Sequence, residues 1–173
     1  VPMMRRRFPY VTIIEAGENL GFAAGNNLGI RRASGDVVIL LNNDTVAGPG
    51  FIEEAVEPLE EDESLSAVAA VLLFASAPDY VASAGIDVYQ NGLALDHGIG
   101  QRWRDLERHV AVFGPSAGAA AYRRSSLDDV GCFADDFFLY LEDADLAWKL
   151  RLRGLDTVAS ARAWVLHVYS ASS

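Results

Sequence analysis

Three places in the sequence put acidic or imidazole groups where they can do chemistry. The first is Asp44, which closes the run Leu40-Leu41-Asn42-Asn43-Asp44. In open α/β sheets, ligands bind just beyond the carboxyl ends of the strands. One carboxylate there can hold Mg²⁺ or Mn²⁺, which take oxygen ligands and keep positions open for phosphate. The competing reading is an Asx turn that ends the strand. The second place is Glu142-Asp143-Ala144-Asp145, which opens a helix. A helix N-terminus favours ionised carboxylates, so plain capping explains the acids as well. The preceding Phe137-Phe138-Leu139-Tyr140-Leu141 adds an apolar wall. Such a wall makes a partly desolvated, proton-accepting carboxylate plausible. The third place is His167 in Leu166-His167-Val168. A histidine on a strand is commonly a satisfied core residue, but imidazole also completes mixed Asp/His metal sites.

The elements that must position these groups follow from hydrophobic pattern. Tyr10–Ile14 reads as a short strand, and Asn19-Leu20-Gly21-Phe22 as a turn leading into a helix over Ala23–Ala33. Val37–Leu41 is continuously apolar, the pattern of a strand buried on both faces of a parallel sheet. A helix follows over Gly50–Glu61, with Phe51, Ala55 and Leu59 on its apolar face. Another buried strand lies within Ala67–Phe74, and the Gly-rich stretch Pro78–Val112 reads as hairpins or ordered loop. Ala117–Tyr122 is a further strand, Ser125–Val130 a helix, Glu142–Arg153 a helix stopped by Gly154, and Thr157–Tyr169 the last strand. Strands alternating with helices predict an α/β sandwich with a mostly parallel central sheet.

Composition narrows the function. The chain has 173 residues, enough for one domain with a real core, and 51% hydrophobic against 22% charged residues is a globular balance. A net charge of -10 argues against nucleic acid as a partner, since such binders present a basic face. The one basic cluster, Arg5-Arg6-Arg7 beside Met3, Met4 and Phe8, is the candidate for peripheral contact with an anionic membrane. The solvated end of a helix is the competing reading. Cys132 is the single cysteine, so no disulfide closes within the chain, which suits a reducing, cytoplasmic setting. No apolar run reaches the ~18 residues that a membrane span needs.

Taken together, four stretches resemble one family. Asn19-Leu20-Gly21-Phe22-Ala23-Ala24-Gly25-Asn26-Asn27-Leu28-Gly29-Ile30 is similar to its N-x-G-F-A-x-G-N-N-x-G-I segment. Gly35–Thr45 looks like its strand ending in L-L-N-N-D-T, Phe137–Gly154 like F-F-L-Y-x-E-D-x-D-L, and His167–Ser170 like its closing H-x-x-S. The family is the inverting glycosyltransferases of family 2, with the GT-A fold, in the branch of bacterial rhamnosyl- and galactofuranosyltransferases. The resemblance implies a single domain over residues 1–173, with a nucleotide- and metal-binding half over 1–75 and an acceptor half over 76–173. It implies that Asp44 and His167 hold Mg²⁺ or Mn²⁺ on the donor diphosphate. Asn42 departs from the acidic residue that many relatives carry in their D-x-D motif. By the same resemblance, Asp143 is the general base with Glu142 its neighbour, Ser170 reaches a phosphate oxygen, and Asn26 and Asn27 shape the nucleotide side, although a plain helix N-terminus explains these two asparagines as well. Asp145 is expected to be structural, paired to Arg123, Arg124 or Arg151.

The implied reaction moves a sugar from a UDP- or dTDP-sugar to a hydroxyl of a glycan or lipid-linked acceptor, with inversion. The residue types fit it. The attacking hydroxyl must lose a proton to a positioned carboxylate, and charge building on the leaving diphosphate calls for a divalent cation. Relatives open with strands that bind the base and ribose, and Tyr10–Ile14 corresponds to a later strand. The expectation is therefore a GT-A domain lacking its first strands, with an open sheet edge available for self-association. Two rivals stay open. One is a catalytically inactive GT-A remnant. The other is a metal-dependent nucleotidyltransferase or phosphohydrolase, weakened because Lys149 is the only lysine and no G-x-x-x-x-G-K-[ST] loop is present.

Overall fold

The computed structural model describes residues 1–168. The elements are α1 (Pro2–Arg7), α2 (Gly21–Ile30), β1 (Val37–Leu41), β2 (Thr45–Ala47), α3 (Phe51–Glu61), β3 (Leu65–Phe74), β4 (Ala77–Ser83), β5 (Ile86–Val88), β6 (Ala94–Asp96), β7 (His109–Ala111), β8 (Ala119–Arg123), α4 (Arg124–Val130), α5 (Glu142–Leu152) and β9 (Asp156–His167). A seven-stranded sheet runs in the order β1-β8-β3-β9-β2, with β4 beside β3 and β7 beside β9. β5 and β6 form a separate hairpin.

Three layers result. On one face, Ala23 and Ile30 of α2, Leu127 of α4, and Leu146 and Leu150 of α5 pack on Val38, Leu40, Ala67 and Tyr122. On the other face, Phe51, Ala55 and Leu59 of α3 pack on Val68, Ala70, Leu72 and Val165. Alternate residues of β3 thus point into opposite layers, and every residue from Leu65 to Leu73 is buried. That is the two-sided burial its apolar run predicts. The Gly-rich region extends the first layer, where Val81, Ala84, Val112, Trp103 and Leu106 cover Ala69, Val71 and Leu73.

The structure corrects three expectations. The sheet is mixed rather than mostly parallel. Only β3 and β9 run parallel, while β1–β8, β3–β8, β2–β9, β3–β4 and β7–β9 are antiparallel. A continuous apolar run reports that both faces are covered, not which way the neighbour runs. β1 is an edge strand among the described residues, so its burial alternates and Leu41 is exposed. Tyr10–Ile14 forms no strand. Extended propensity makes a strand only where a neighbour takes its N–H and C=O groups.

Arg5, Arg6 and Arg7 form the last turn of α1, which buries no residue. Arg5 pairs with Glu15, and the Arg7 guanidinium lies 5.8 Å from the Phe8 ring centroid. Among the described residues, no helix is long and apolar enough to cross a membrane.

Candidate active site

The sheet registers gather the candidate residues at one end of the molecule. Leu41, the last residue of β1, lies opposite Ala119, the first of β8. Phe74, the last residue of β3, lies opposite His167, the last of β9, and Thr45 lies opposite the same His167. The polar turn Asn42-Asn43-Asp44 therefore emerges beside the end of β9. The Asn42 N–H donates to the Gly118 carbonyl at 2.9 Å, the Thr45 hydroxyl donates to the Asn42 carbonyl at 2.6 Å, and the Val168 N–H donates to the Asp44 carbonyl at 3.0 Å.

These backbone bonds bring together two side chains far apart in sequence. The Asp44 Oδ2 and His167 Nε2 atoms are 3.3 Å apart, with both side chains largely shielded from solvent. Asp44 Oδ1 is buried without a hydrogen-bond partner. A buried, unpartnered carboxylate oxygen costs about 1–3 kcal/mol unless something takes it up. The donor set suits a divalent cation, because two ligands on one ion at ~2.0–2.2 Å each lie within a few Å of one another. Among the described residues no group of three or more His, Cys, Asp or Glu side chains could hold a metal. Among the described residues an ion here would thus have Asp44 and His167 as its acidic and imidazole ligands, and Mg²⁺ commonly completes such a set with phosphate and water. Asn42 is half-buried in the same turn. Ser170 lies outside the described residues.

The acidic pair stands at the start of α5, whose first turn carries Glu142, Asp143 and Asp145. This helix comes close to the sheet because residue 114 is glycine; a Cβ there would overlap the Cβ of Ala147. Burial pushes the Asp143 carboxyl above the ordinary carboxylate range. The N–H groups of Ala144, Ala117 and Asp143 itself pull it back in part, and the charge of Asp96 pushes it up again. The Ala144 N–H donates to Asp143 Oδ1 at 2.8 Å. Ala117 immediately precedes Gly118, which holds Asn42, so the Asp143 side and the Asp44 turn are both tied to one turn before β8. Glu142 is buried, and its pKa is also raised, first by burial, with the Asp143 charge adding to it. Its Oε2 has no hydrogen-bond partner. Helix-start stabilisation of the charged form therefore loses to desolvation here.

Asp145 pairs with Lys149 at 2.8 Å, one turn along the same helix, rather than with Arg123, Arg124 or Arg151 as expected. Those arginines are occupied elsewhere. Arg123 donates to the carbonyls of Leu59, Leu65 and Asp62, Arg124 to that of Ile30, and Arg151 to that of Phe113.

Asn26 donates to the Phe22 carbonyl within its own helix at 2.9 Å. Asn27 is only 4% exposed. Its amide is committed to the chain segment after α4: Nδ2 donates to the Phe133 carbonyl and to Asp135 Oδ1, each at 2.8 Å. Its polar atoms thus face the protein interior, against Phe133 and Asp135.

Two residues of the site escape the sequence reading. Tyr122 is buried with its hydroxyl unpartnered. Its pKa is raised well above the usual tyrosine value, by burial first and then by the charges of Asp143 and Glu142. Asp96 reaches Asp143 from the β5–β6 hairpin, which packs on α5 through Ile86 and Ala144. Nothing local marks either one, since Tyr122 ends an alanine-rich strand and Asp96 sits in a glycine-rich loop region.

The sequence profile of Glycosyl transferase family 2 matches residues 3–131, which include α2, β1 and the Asp44 turn. The chain belongs to glycosyltransferase family 2. Glu142, Asp143 and His167 lie beyond the matched residues. This family 2 chain is 29% identical over 163 residues to the O-antigen biosynthesis protein RfbC of Myxococcus xanthus, covering 87% of itself and 12% of that protein. It is 26% identical over 145 residues to the uncharacterized glycosyltransferase YwdF of Bacillus subtilis (strain 168), covering 83% of itself and 47% of YwdF. It thus spans less than half of either relative. Among solved structures it resembles GalNAc-T7 with UDP, GalNAc and Mn²⁺, at a TM-score of 0.78 and 12% identity, over 97% of this chain and 34% of that one. It also resembles the mannosyltransferase PcManGT from Pyrobaculum calidifontis in complex with GDP-Man and Mn²⁺, at a TM-score of 0.65 and 20% identity, over 99% and 45%. At those identities the likeness is one of fold, and it agrees with the GT-A α/β sandwich that the sequence resemblance implies.

Proposed function

We propose that this family 2 chain carries the metal and acceptor side of an inverting transfer. In that reaction a sugar moves from a UDP- or dTDP-sugar to a hydroxyl of a glycan or lipid-linked acceptor. The carrying observation is the meeting of Asp44 and His167 at 3.3 Å, with one Asp44 oxygen buried and unpartnered, beside the turn whose Ala117 N–H faces Asp143 of α5. Asp44 and His167 would hold Mg²⁺ or Mn²⁺, whose chemistry is to offset charge that builds on the departing nucleoside diphosphate. Asp143 takes the proton from the acceptor hydroxyl. Its pKa, raised by burial, supports the role, because a stronger base draws the proton more effectively. Glu142, buried beside it in sequence, adds its own charge to the same helix start. A single displacement on the anomeric carbon inverts it and needs no covalent enzyme intermediate.

The first test measures binding, so it does not depend on knowing the sugar. UDP is titrated by calorimetry in Mn²⁺ and again in EDTA, with Asp44→Ala and His167→Ala beside the parent chain. Mn²⁺-dependent affinity is expected to fall by about 10–100-fold or more in each variant, since even outer-shell partners of a metal are worth that much. Equal affinity in parent and variants removes the metal assignment. A chain that binds UDP with Mn²⁺ yet turns over no UDP- or dTDP-sugar returns the reading to an inactive remnant.

A further inference from the structure

The motif Asn19–Asn27 leads into α2 and fills its first turns, and the reaction proposed above gives it nothing to do. Its contacts show where it acts. Asn27 uses both amide hydrogens on the Phe133 carbonyl and Asp135 Oδ1, at 2.8 Å each, while its Oδ1 accepts the Phe133 N–H at 3.2 Å. A buried amide with its donors and acceptor all engaged fixes the backbone it holds. Five residues earlier in the sequence, the same helix makes a second grip. The Phe22 N–H donates to the Phe138 carbonyl at 2.8 Å. Gly21, at φ +72°, lets the helix start close over Phe138; a Cβ there would lie 2.5 Å from the Phe138 oxygen.

The segment between these grips and α5 has little else to hold it. Phe138, Leu139, Tyr140 and Leu141 are 59%, 50%, 75% and 60% exposed. Tyr140 and Leu141 adopt left-handed backbone at φ 69° and 68°, conformations that side-chain-bearing residues resist. Such strain persists only where surrounding structure over-determines it. Leu141 is the N-cap of α5, and Glu142 and Asp143 follow directly. The point and direction at which α5 begins, and with them the placing of the Asp143 carboxyl, depend on that segment.

We propose that Asn27 is a positioning residue for Asp143: with the Phe22 N–H it anchors the strained stretch 133–141 from which α5 starts. The inference rests on Asp143 as the base, but its test reads the carboxyl's surroundings directly. Asn27→Asp keeps the acceptor for the Phe133 N–H, removes both donors, and sets a carboxylate against Asp135. The double variant Asn27→Asp with Asp135→Asn restores a donor–acceptor pair in reverse. The parent chain, the single variant and the double variant are compared by amide hydrogen exchange and by carboxyl-carbon NMR titration of Asp143, whose charged neighbours are Glu142 and Asp96.

In Asn27→Asp, exchange at residues 138–145 is expected to quicken by about tenfold or more while β3 is unchanged. The titration of Asp143 should fall toward the ordinary carboxylate range as water enters, and the double variant should recover most of both. With a donor that the parent turns over, kcat should drop by about tenfold with the donor KM within about twofold. If Asn27→Asp does not fold, Gly21→Ala, which displaces the Phe138 carbonyl, must give the same local pattern. Exchange that quickens equally in β3, with Asp143 titrating as in the parent, overturns the proposal and leaves Asn27 a core residue. A loss confined to donor affinity overturns it in favour of the nucleotide side. Should Asp143→Asn keep full turnover, the base assignment fails while the exchange and titration results on Asn27 still stand.

Discussion

Asp44 and His167 stand at the end of the sheet, one on the turn between β1 and β2 and one on β9, whereas Asp143 stands on a helix behind a loop. The first pair is fixed by ladder geometry: Thr45 faces His167 across β2 and β9, and the Val168 N–H closes on the Asp44 carbonyl. No distant side chain is needed to hold that backbone. Asp143 follows four exposed apolar residues, two of them left-handed, and its setting depends on a buried amide more than a hundred residues earlier. The difference teaches how the two halves should fail. Damage to the strand-borne pair removes donor binding, and damage to the helix-borne carboxylate removes turnover.

The largest expected effect breaks the comparison most sharply. Asp143→Asn should cut turnover by about 10²-fold or more while UDP affinity in Mn²⁺ stays within about twofold. Initial rates of nucleoside diphosphate release, set beside calorimetry, measure both quantities. A parallel loss of affinity would mean the two halves are not separable.

The pH dependence comes next. Asp143 must be ionised to accept a proton, and its pKa is raised, mainly by burial. Activity should therefore fall on the acid side at a pH above the ordinary carboxylate range. Asp96→Asn should move that limb downward, because a negative neighbour is lost. Stability carries the opposite sign. A carboxyl whose folded pKa is raised favours the fold when neutral, and that contribution is lost as pH rises through the raised value. Asp143→Asn should then melt higher than the parent at neutral pH, and the gap should close below about pH 4, where the parent carboxyl is neutral in both states. Thermal melts across pH decide it.

The smallest effect sharpens the contrast within α5 itself. Asp145 faces Lys149 rather than the reaction. Asp145→Asn should lower stability by about 0.3–0.5 kcal/mol, the ordinary worth of such a helix pair, and leave turnover unchanged. A tenfold fall in rate would move Asp145 into the site.

The sequence by itself determined a good deal. The apolar runs 37–41 and 67–74, the acidic start of α5 and the glycine after it are local patterns, and each element appears within a few residues of where the pattern puts it. The types of the groups at the site were legible for the same reason, as side-chain chemistry is written residue by residue. Tertiary structure alone decided the rest. Strand direction depends on which partner completes the ladder, so one parallel pairing among antiparallel ones left no mark on an apolar run, and Tyr10–Ile14, with no partner, stayed irregular. In the sequence Asn27 is a polar residue near a helix start, and only the fold brings Phe133 and Asp135 to it. The pKa of Asp143 sets helix-start stabilisation against burial, and burial is a sum over Ala117, Asp96 and other neighbours contributed by remote parts of the chain. Local pattern is a property of adjacent residues; partnership and desolvation are properties of the folded whole.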